Sequence, residues 1–401
     1  MAQAFPVVAQ VFLVQWPAAT EQMSFGAEKQ VAAASGKSFA CRHVGWGRWL
    51  IAFLTHVAFC FLWVMGGLVV AVTTALLAGF TYGISFTIFG SVAIKKRGLQ
   101  QAWAATILVL CACLGPRSAD ERGFARFWIS FAWLVFSSYI AWFKDFAPRM
   151  GFRKFVHGLQ APNFYRACEW RGLLGDVKEQ KSLFAWHPHG IQAVGFSMNG
   201  VWNEQFHKHA GYDTVHLCDK VLRQDNPYFK VVADVHGRIE TLNKDSLQRY
   251  MKAGSNVSFV PGGFEEATAL SFGEHRVVMK QRTGFIKYAL QHGYRVHPIY
   301  TFGEEETYHC FTGLVKFRMW LNKYGIPAVA FFGFPLIPII PRPQARIMTC
   351  IGKAIELPRI AEPTQEEVAK WHATYLAALT DVFDSHKEAY GLPKSAKLEI
   401  W

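Results

Sequence analysis

The chain has 401 residues, of which 51% are hydrophobic and 15% aromatic, and its mean hydropathy is +0.12. This apolar content exceeds that of an average soluble domain and predicts that part of the chain lies in lipid. The net charge of +13 comes without any block of five Lys/Arg residues, so an anionic membrane face explains it better than nucleic acid. The eight cysteines are scattered without a CxxC pair, which excludes a disulfide framework or zinc ribbon and indicates a reducing compartment.

The N-terminal part is predicted to be a lead followed by a membrane hairpin. Residues 1–45 have no basic residue in their first 28 positions, so they lack the charged start of a secretory signal and are expected to form a poorly ordered or surface-lying lead. A run of 46 uncharged residues separates Arg48 from Lys95, about twice the ~20 residues that one span needs. We therefore predict a transmembrane hairpin over 46–97, with both basic flanks in the cytosol.

Residues 98–150 contain two shorter apolar stretches, at 102–115 and 127–143. Each is at or below the lower limit for crossing a bilayer, so interfacial or re-entrant helices compete with true spans. The number of spans, two or four, stays open. Unless only one stretch crosses, the chain after Lys144 is cytosolic.

From residue 151 to 401 the composition is globular, and short apolar runs alternate with amphipathic stretches. This alternation is typical of an α/β domain. Helices are predicted at 283–293, ending at a glycine suited to a C-cap, and after Thr364, where Glu367 completes a capping-box pattern. Strands are predicted at 182–186, 256–260, 295–300, 328–333 and 346–352.

Two histidines come directly after the strand predicted at 182–186. His187 and His189 flank Pro188, and Gly190 follows. Proline and glycine break the strand, so we expect both imidazoles at the carboxyl edge of the sheet, where α/β folds place their ligands. Histidine is the natural general base near neutral pH, because it can take the proton of an alcohol that attacks an acyl group. Taken alone, the two histidines are equally consistent with a structural role or with part of a metal site.

A second polar turn follows the strand predicted at 256–260. It contains Gly262, Gly263 and Glu266 in the run "PGGFEEA". Two adjacent strands that each end in a glycine-containing turn with an ionisable group assemble a polar site over a sheet edge. The two glycines allow backbone amides to approach an oxyanion. A hairpin turn with solvated glutamates is the structural alternative.

These motifs together resemble the type 2 diacylglycerol acyltransferase family. The "HPHG" block, the Gly-Gly-x-x-Glu element, and the segments 282–308 and 352–391 follow in the family's order over roughly residues 160 to 391. The uncharged hairpin ahead of them is also similar to that family. One departure is the family's Tyr-Phe-Pro element, since Phe164 and Tyr165 are followed here by Arg166; it bears on substrate preference more than on the reaction.

The resemblance implies a glycerolipid-acyltransferase-like α/β domain in the cytosol, following the transmembrane hairpin. It also implies transfer of a fatty acyl group from acyl-CoA to the free hydroxyl of diacylglycerol, giving triacylglycerol. The expected location is the endoplasmic reticulum membrane, as a multi-pass protein whose product passes to lipid droplets. Acyl-CoA is then a substrate and no cofactor is expected. The partners are acyl-CoA, diacylglycerol and the bilayer, without nucleic acid; a homo-oligomer is left open.

For the acyl transfer that the resemblance implies, His187 is favoured as the base because it directly follows the strand and precedes proline. Many glycerolipid acyltransferases orient their histidine with an aspartate five residues on, but here those positions hold Gln192 and Val194. We therefore hypothesise that Glu266 supplies the orienting carboxylate. His189 is expected to hold the loop or the acyl carbonyl, and Pro188, Gly190, Gly262 and Gly263 are assigned to substrate binding.

The charge of the second turn bears on the acceptor. Acyltransferases that act on glycerol phosphates need a basic residue after this turn, whereas "PGGFEEA" is acidic. An anionic acceptor would be repelled, which favours a neutral alcohol. Arg282, Lys287 and Arg295 are candidates for the CoA phosphates, but a solvated basic face explains them equally well.

Three alternatives stay open to different degrees. A monoacylglycerol or a long-chain alcohol, giving a wax ester, fits the same chemistry. A non-catalytic lipid-droplet anchor is disfavoured, because an anchor does not need two polar glycine turns. A zinc site is disfavoured too, since His207, His209 and His216 belong to no HExxH or Cys/His ligand set.

Overall fold

A computed structural model describes residues 39–40, 45–63, 144–172, 177–323 and 328–401. Most of the predicted lead lies outside the described residues. So do the second arm of the predicted hairpin and the apolar stretches at 102–115 and 127–143. The transmembrane hairpin as a whole therefore stays a prediction.

The described residues contain a mixed sheet at the centre of the α/β domain. Its main path runs in the order β1-β2-β11-β8-β3-β6-β4-β5, and β12 pairs with β8. Strands β8, β3, β6, β4 and β5 are mutually parallel, whereas β11 runs antiparallel to β8. The strands are β1 Phe39–Ala40, β2 Ala167–Gly172, β3 Ser182–His187, β4 Val215–Cys218, β5 Ile239–Thr241, β6 Val257–Phe259, β7 Arg276–Val277, β8 Arg295–Phe302, β9 His309–Cys310, β10 Phe331–Phe332, β11 Arg346–Ile351, β12 Ile355–Glu356 and β13 Glu399–Ile400.

Helices cover both faces of the sheet. The α-helices are α1 Trp46–Trp63, α2 Met150–Gly158, α3 Glu204–Ala210, α4 Pro227–His236, α5 Lys244–Lys252, α6 Gly263–Ala269, α7 Gly284–His292, α8 Val315–Asn322 and α9 Gln365–Tyr390. Short π-helical turns lie at Gly195–Val201 and Val221–Asp225, and 3-10 turns at Ala161–Phe164 and Glu304–Glu306. This layering is that of an α/β domain.

The side chains of β3 alternate between the two faces of the sheet and pack against different helices on each face. Leu183 and Ala185 pack in the core with α5, α7 and α9, whereas Phe184 and Trp186 face the opposite core with α3. Successive strand residues point to opposite faces. His187 therefore points to the same face as Leu183, towards α7 and α9.

Several sequence predictions of elements are confirmed. Strands occur within or across 182–186, 256–260, 295–300 and 346–352. Helix α7 ends at Gly293, which has a φ of 64°. Helix α9 begins with the full capping box of Thr364 and Glu367.

One strand prediction needs correction. The run at 328–333 yields only the two-residue β10, which pairs with β9 outside the main sheet. Residues 39–40, within the stretch 1–45 that was predicted to be a poorly ordered or surface-lying lead, form β1, which pairs antiparallel with β2. An edge strand of two residues gives no periodicity that a sequence pattern can reveal.

Helix α1 is the one helix of the described residues that is long and apolar enough to cross a membrane. Its residues Ala52, His56 and Cys60 are fully buried, and the His56 ring stacks on Phe164 at 4.2 Å. They recur every four residues and so form one stripe. The opposite face exposes apolar side chains, namely Leu50, Ile51, Leu54 and Phe61. Helix α1 therefore packs lengthwise on the α/β domain, and His56 belongs to that contact.

Candidate active site

Three neighbouring parallel strands place polar side chains at one edge of the sheet. Strand β3 ends at His187, β6 is followed by the turn into α6, and β8 leads into the turn that contains Glu304. Strand β3 lies between the other two. The carboxyl ends of β3, β6 and β8 therefore deliver one histidine and two glutamates to a single region.

His187 is fully buried and has a partner on each ring nitrogen. Its Nδ1 lies 3.1 Å from Glu266 Oε1, and its Nε2 lies 2.8 Å from the Tyr375 hydroxyl. A carboxylate only accepts hydrogen bonds. This partner set assigns the proton to Nδ1 and leaves the lone pair on Nε2.

Glu266 lies in the first turn of α6 and is 1% exposed. Besides His187, its carboxylate accepts hydrogen bonds from two backbone N–H groups, those of His189 at 2.7 Å and Val278 at 3.0 Å. Three donors fix both oxygens in place. The structure thus brings together the histidine and the glutamate that the sequence predicted as a pair.

His189 lies nearer the surface than His187 and is half-buried. Among the described residues no hydrogen bond joins its side chain to Glu266; its Nδ1 lies 2.8 Å from the carbonyl oxygen of Gly190 and donates to it. The ring also lies 6.4 Å from that of Phe264. Of the two histidines, only His187 has a carboxylate on its ring among the described residues.

The glycines of both turns are required for different reasons. A methyl group at Gly262 would overlap the Glu266 carboxyl, and one at Gly190 would overlap that of Glu304. Gly263 has open space but a φ of +60°, a conformation that favours glycine. The absence of a side chain at Gly190 and Gly262 therefore allows the carboxyl groups of Glu304 and Glu266 to approach the backbone. Pro188 is buried and follows His187 through a cis peptide bond.

Glu304 is a site residue that the sequence reasoning missed. It is fully buried, and its carboxyl accepts from the backbone N–H groups of Val194 at 2.7 Å and Gly195 at 2.8 Å. Burial raises the pKa of Glu304 to about 8, against the lowering effect of the two backbone donors. The segment that follows the histidines is thereby tied to the end of β8. The signal was the run of glutamates directly after a strand, the same pattern that pointed to Glu266.

Tyr375 was also missed as a functional residue, because it lies among the buried apolar residues of α9. Its side chain is fully buried, yet its hydroxyl reaches His187 from a segment 188 positions away in the sequence. A buried tyrosine hydroxyl normally has a hydrogen-bond partner. A tyrosine on the apolar stripe of α9 was therefore a signal for a polar contact, although it could not name the partner.

The structure also places the basic residues that were candidates for the CoA phosphates. Arg282 pairs with Glu265, and Arg295 lies 3.3 Å from Glu356, while Lys287 is exposed. Among the described residues, no group of three or more His, Cys, Asp or Glu side chains has a metal-binding arrangement.

A family model described as Diacylglycerol acyltransferase matches residues 175–401, which is more than half of the chain. The chain belongs to the diacylglycerol acyltransferase family. Both histidines of the "HPHG" block and Glu266 lie within the matched range. The family prediction from the sequence is confirmed.

Individual relatives of this family member are moderately similar to it. Diacylglycerol O-acyltransferase 2 of Bos taurus is 29% identical over 243 residues, which cover 54% of this chain and 64% of that protein. Acyl-CoA wax alcohol acyltransferase 2 of Homo sapiens is 28% identical over 314 residues, which cover 74% of this chain and 86% of that protein. The matched part of the chain thus spans less than two thirds of the bovine relative.

One solved structure was also matched. The 1-acyl-sn-glycerophosphate acyltransferase PlsC from Thermotoga maritima is 10% identical, with a TM-score of 0.37 over 73% of this chain and 95% of that one. A likeness at that TM-score is too weak to assign the fold.

Proposed function

We propose that this protein transfers a fatty acyl group from acyl-CoA to the free hydroxyl of diacylglycerol, forming triacylglycerol. The observation that carries the proposal is the buried pair of His187 and Glu266 at the carboxyl edge of the sheet, in a chain of the diacylglycerol acyltransferase family. The reaction needs a general base and an acyl donor but no cofactor.

In the proposed reaction, Nε2 of His187 is the base. As the acceptor oxygen attacks the thioester carbonyl carbon, its proton passes towards Nε2 and the imidazole becomes an imidazolium. The Glu266 carboxylate, 3.1 Å from Nδ1, stabilises that positive charge. Collapse of the tetrahedral intermediate breaks the C–S bond, and the departing CoA thiolate takes the proton back.

The charges around the second turn support a neutral acceptor. Glu266 is engaged by His187 and two backbone donors, and Arg282 is paired with Glu265. The turn "PGGFEEA" has no basic residue, and Arg282 is already paired with Glu265, so neither offers an unpaired cation to a phosphate. A long-chain alcohol is the second candidate acceptor, because the match to the wax alcohol acyltransferase covers a larger share of that relative, 86%, than the match to the bovine diacylglycerol enzyme, 64%.

The proposed location is the endoplasmic reticulum membrane, with the α/β domain in the cytosol and access to lipid droplets. The apolar composition and the apolar helix α1 support membrane association. The acyl acceptor is then a lipid of the same membrane.

The test is acyl transfer by membranes from cells that lack their own neutral-lipid synthesis. Membranes with the wild-type chain receive labelled acyl-CoA and, in separate reactions, diacylglycerol, monoacylglycerol, a fatty alcohol or glycerol phosphate. The variants His187→Ala and His189→Ala are measured beside it, at equal protein level. We expect label in triacylglycerol with wild type and a loss on the order of 100-fold or more with His187→Ala, because general base catalysis contributes about that much.

The exposed His309 provides a matched control, and His309→Ala should keep wild-type activity. Label only in a wax ester or in diacylglycerol would retain the chemistry and change the acceptor. Loss of transfer in His189→Ala but not in His187→Ala would move the base to His189. Absence of transfer to every acceptor by well-expressed wild type would favour the anchor alternative.

A further inference from the structure

The lone pair of the proposed base is already occupied by a hydroxyl. Nε2 of His187 lies 2.8 Å from the Tyr375 hydroxyl, and Glu266 holds the other ring nitrogen. Since the proton of the ring is on Nδ1, Tyr375 must donate its proton to Nε2. The chain of hydrogen bonds therefore runs in one direction, from the Tyr375 hydroxyl through the imidazole to the Glu266 carboxylate.

The phenol is suited to remain a donor at neutral pH. Burial raises the pKa of Tyr375 well above its ordinary value, and the nearby Glu266 carboxylate adds to the effect. A neutral hydroxyl that donates its single proton keeps lone pairs that accept one in return.

Packing holds Tyr375 in this place. Its ring lies edge-on against Phe285 of α7, with centroids 5.1 Å apart, and it belongs to the central hydrophobic cluster with Leu379 and Val382 of α9. Both Tyr375 and His187 are fully buried. An acceptor that displaced the phenol from Nε2 of His187 would have to disrupt this cluster.

We propose that Tyr375 is a catalytic residue that relays the proton between the acceptor and His187. This rests on the proposed acyl transfer. As the acceptor oxygen bonds to the thioester carbon, its proton moves to the Tyr375 oxygen and the phenol proton moves to Nε2. When the C–S bond breaks, Nε2 returns its proton to the phenol oxygen and the phenol passes one to the CoA thiolate. Tyr375, His187 and Glu266 end as they began.

The test compares Tyr375→Phe with the wild-type full chain in membranes. The variant keeps the ring and removes only the hydroxyl, so kcat should fall on the order of 100-fold, while KM for acyl-CoA stays within about twofold. Tyr294→Phe is the matched control. Tyr294 is equally buried, but its hydroxyl bonds only to backbone carbonyls among the described residues, so kcat should remain near wild type.

A second measurement keeps the hydroxyl and changes its acidity. Fluorinated tyrosines incorporated at position 375 should change kcat progressively with the acidity of the phenol, because a proton in transfer responds to it. Wild-type kcat in Tyr375→Phe, or a flat fluorotyrosine series, overturns the relay. A wild-type chain that transfers no acyl group overturns the proposed function and the relay with it, so the two failures are distinguishable.

Discussion

Glu265 and Glu266 are adjacent residues with the same side chain and different surroundings. Glu266 is buried against His187 and two backbone donors, whereas Glu265 forms a partly exposed ion pair with Arg282. Exposed ion pairs contribute little to stability. Only one of the two glutamates is therefore in a position to affect a buried imidazole.

Replacing Glu266 by Gln should lower kcat on the order of 100-fold and leave acyl-CoA affinity nearly unchanged. The amide keeps the size of the side chain but loses the charge that stabilises the imidazolium. Steady-state transfer assays with varied acyl-CoA measure both parameters. Glu265→Gln is the control and should be close to wild type; equal activity of the two variants would remove Glu266 from the mechanism.

Gly262→Ala should impair the site through Glu266. The added methyl group overlaps the Glu266 carboxyl, so the carboxylate must move away from His187, and we expect kcat to fall about tenfold or more, since small displacements at a site are costly. Gly263→Ala meets no neighbouring atom but has an unfavourable φ. It should lower stability by about 1 kcal/mol and keep most of the activity. Kinetics and thermal unfolding of both variants check this, and the opposite order of kcat would contradict it.

The residues of the site differ in how visible they are to sequence reasoning. His187 and Glu266 follow apolar strands and interrupt the pattern, so their location at the sheet edge could be predicted. Tyr375 could not be assigned, because it continues the apolar stripe of α9 and its role depends on which helix packs over β3. Tertiary contacts of that kind do not follow from local periodicity.

At the scale of elements, four buried histidines meet where α2, α3, β4 and α4 pack together. The ring centroids of His157 and His207 are 4.9 Å apart, those of His207 and His216 are 5.2 Å apart, and those of His216 and His236 are 6.3 Å apart. Neither ring nitrogen of His216 or His236 has a hydrogen-bond partner among the described residues. Burial without a hydrogen-bond partner therefore favours the neutral imidazole of His216 and His236.

This cluster should make the domain sensitive to acid. Burial lowers the pKa of His207 to about 4 and that of His236 to about 3, and it lowers the pKa of His216 well below its ordinary value. The unfolded chain binds protons near pH 6.5 and the folded one does not, so the free energy of unfolding falls as the pH drops from 6.5 towards 4. Thermal unfolding across that range measures the slope.

His216→Leu should reduce the loss of thermal stability between pH 6.5 and 4, because one of the groups that must stay neutral is removed. The same substitution at the exposed His309 serves as the control and should leave the slope unchanged. If thermal stability depended on pH equally in wild type and His216→Leu, acid would destabilise the domain through groups other than His216.

Strands that carry paired polar residues were not predicted. Strand β2 contains Glu169, which lies 2.7 Å from Arg346 and 3.4 Å from Arg171; a charge neutralised by its neighbours hides the apolar pattern of a buried strand.

Conversely, the apolar run at 328–333 is followed by Pro335 and Pro338. Proline cannot donate to a ladder, so that run is confined to a two-residue strand outside the main sheet.

At the scale of the whole molecule, both ends of α1 contact the α/β domain. Trp49 lies 6.4 Å from Phe164 near one end, and Trp63 lies 6.1 Å from Phe331 at the other, measured between ring centroids. An 18-residue helix is about 27 Å long, close to the ~30 Å of a bilayer core. A helix that crossed the bilayer from a domain held on one side would contact that domain at one end only. The contacts therefore favour a first arm that lies along the domain.

Short bismaleimide cross-linking in native membranes tests this arrangement. Cysteines replacing Trp49 and Phe164 form one pair, and cysteines replacing Trp63 and Phe331 form the other. We expect both pairs to cross-link, because both ends of α1 contact the domain. A cysteine replacing the exposed Phe61, combined with Phe331→Cys, should react less. Cross-linking at the Trp49 end alone would instead support an α1 that crosses the bilayer.

The three side chains of the proposed hydrogen-bond chain come from widely separated parts of the polypeptide, at Glu266, His187 and Tyr375. Domains fold as units while synthesis proceeds from the N-terminus. A nascent chain that has already formed β3 and α6 still lacks the phenol until α9 has left the ribosome. The proposed activity is thus coupled to the synthesis of α9, so that unfinished chains without this helix would not consume acyl-CoA.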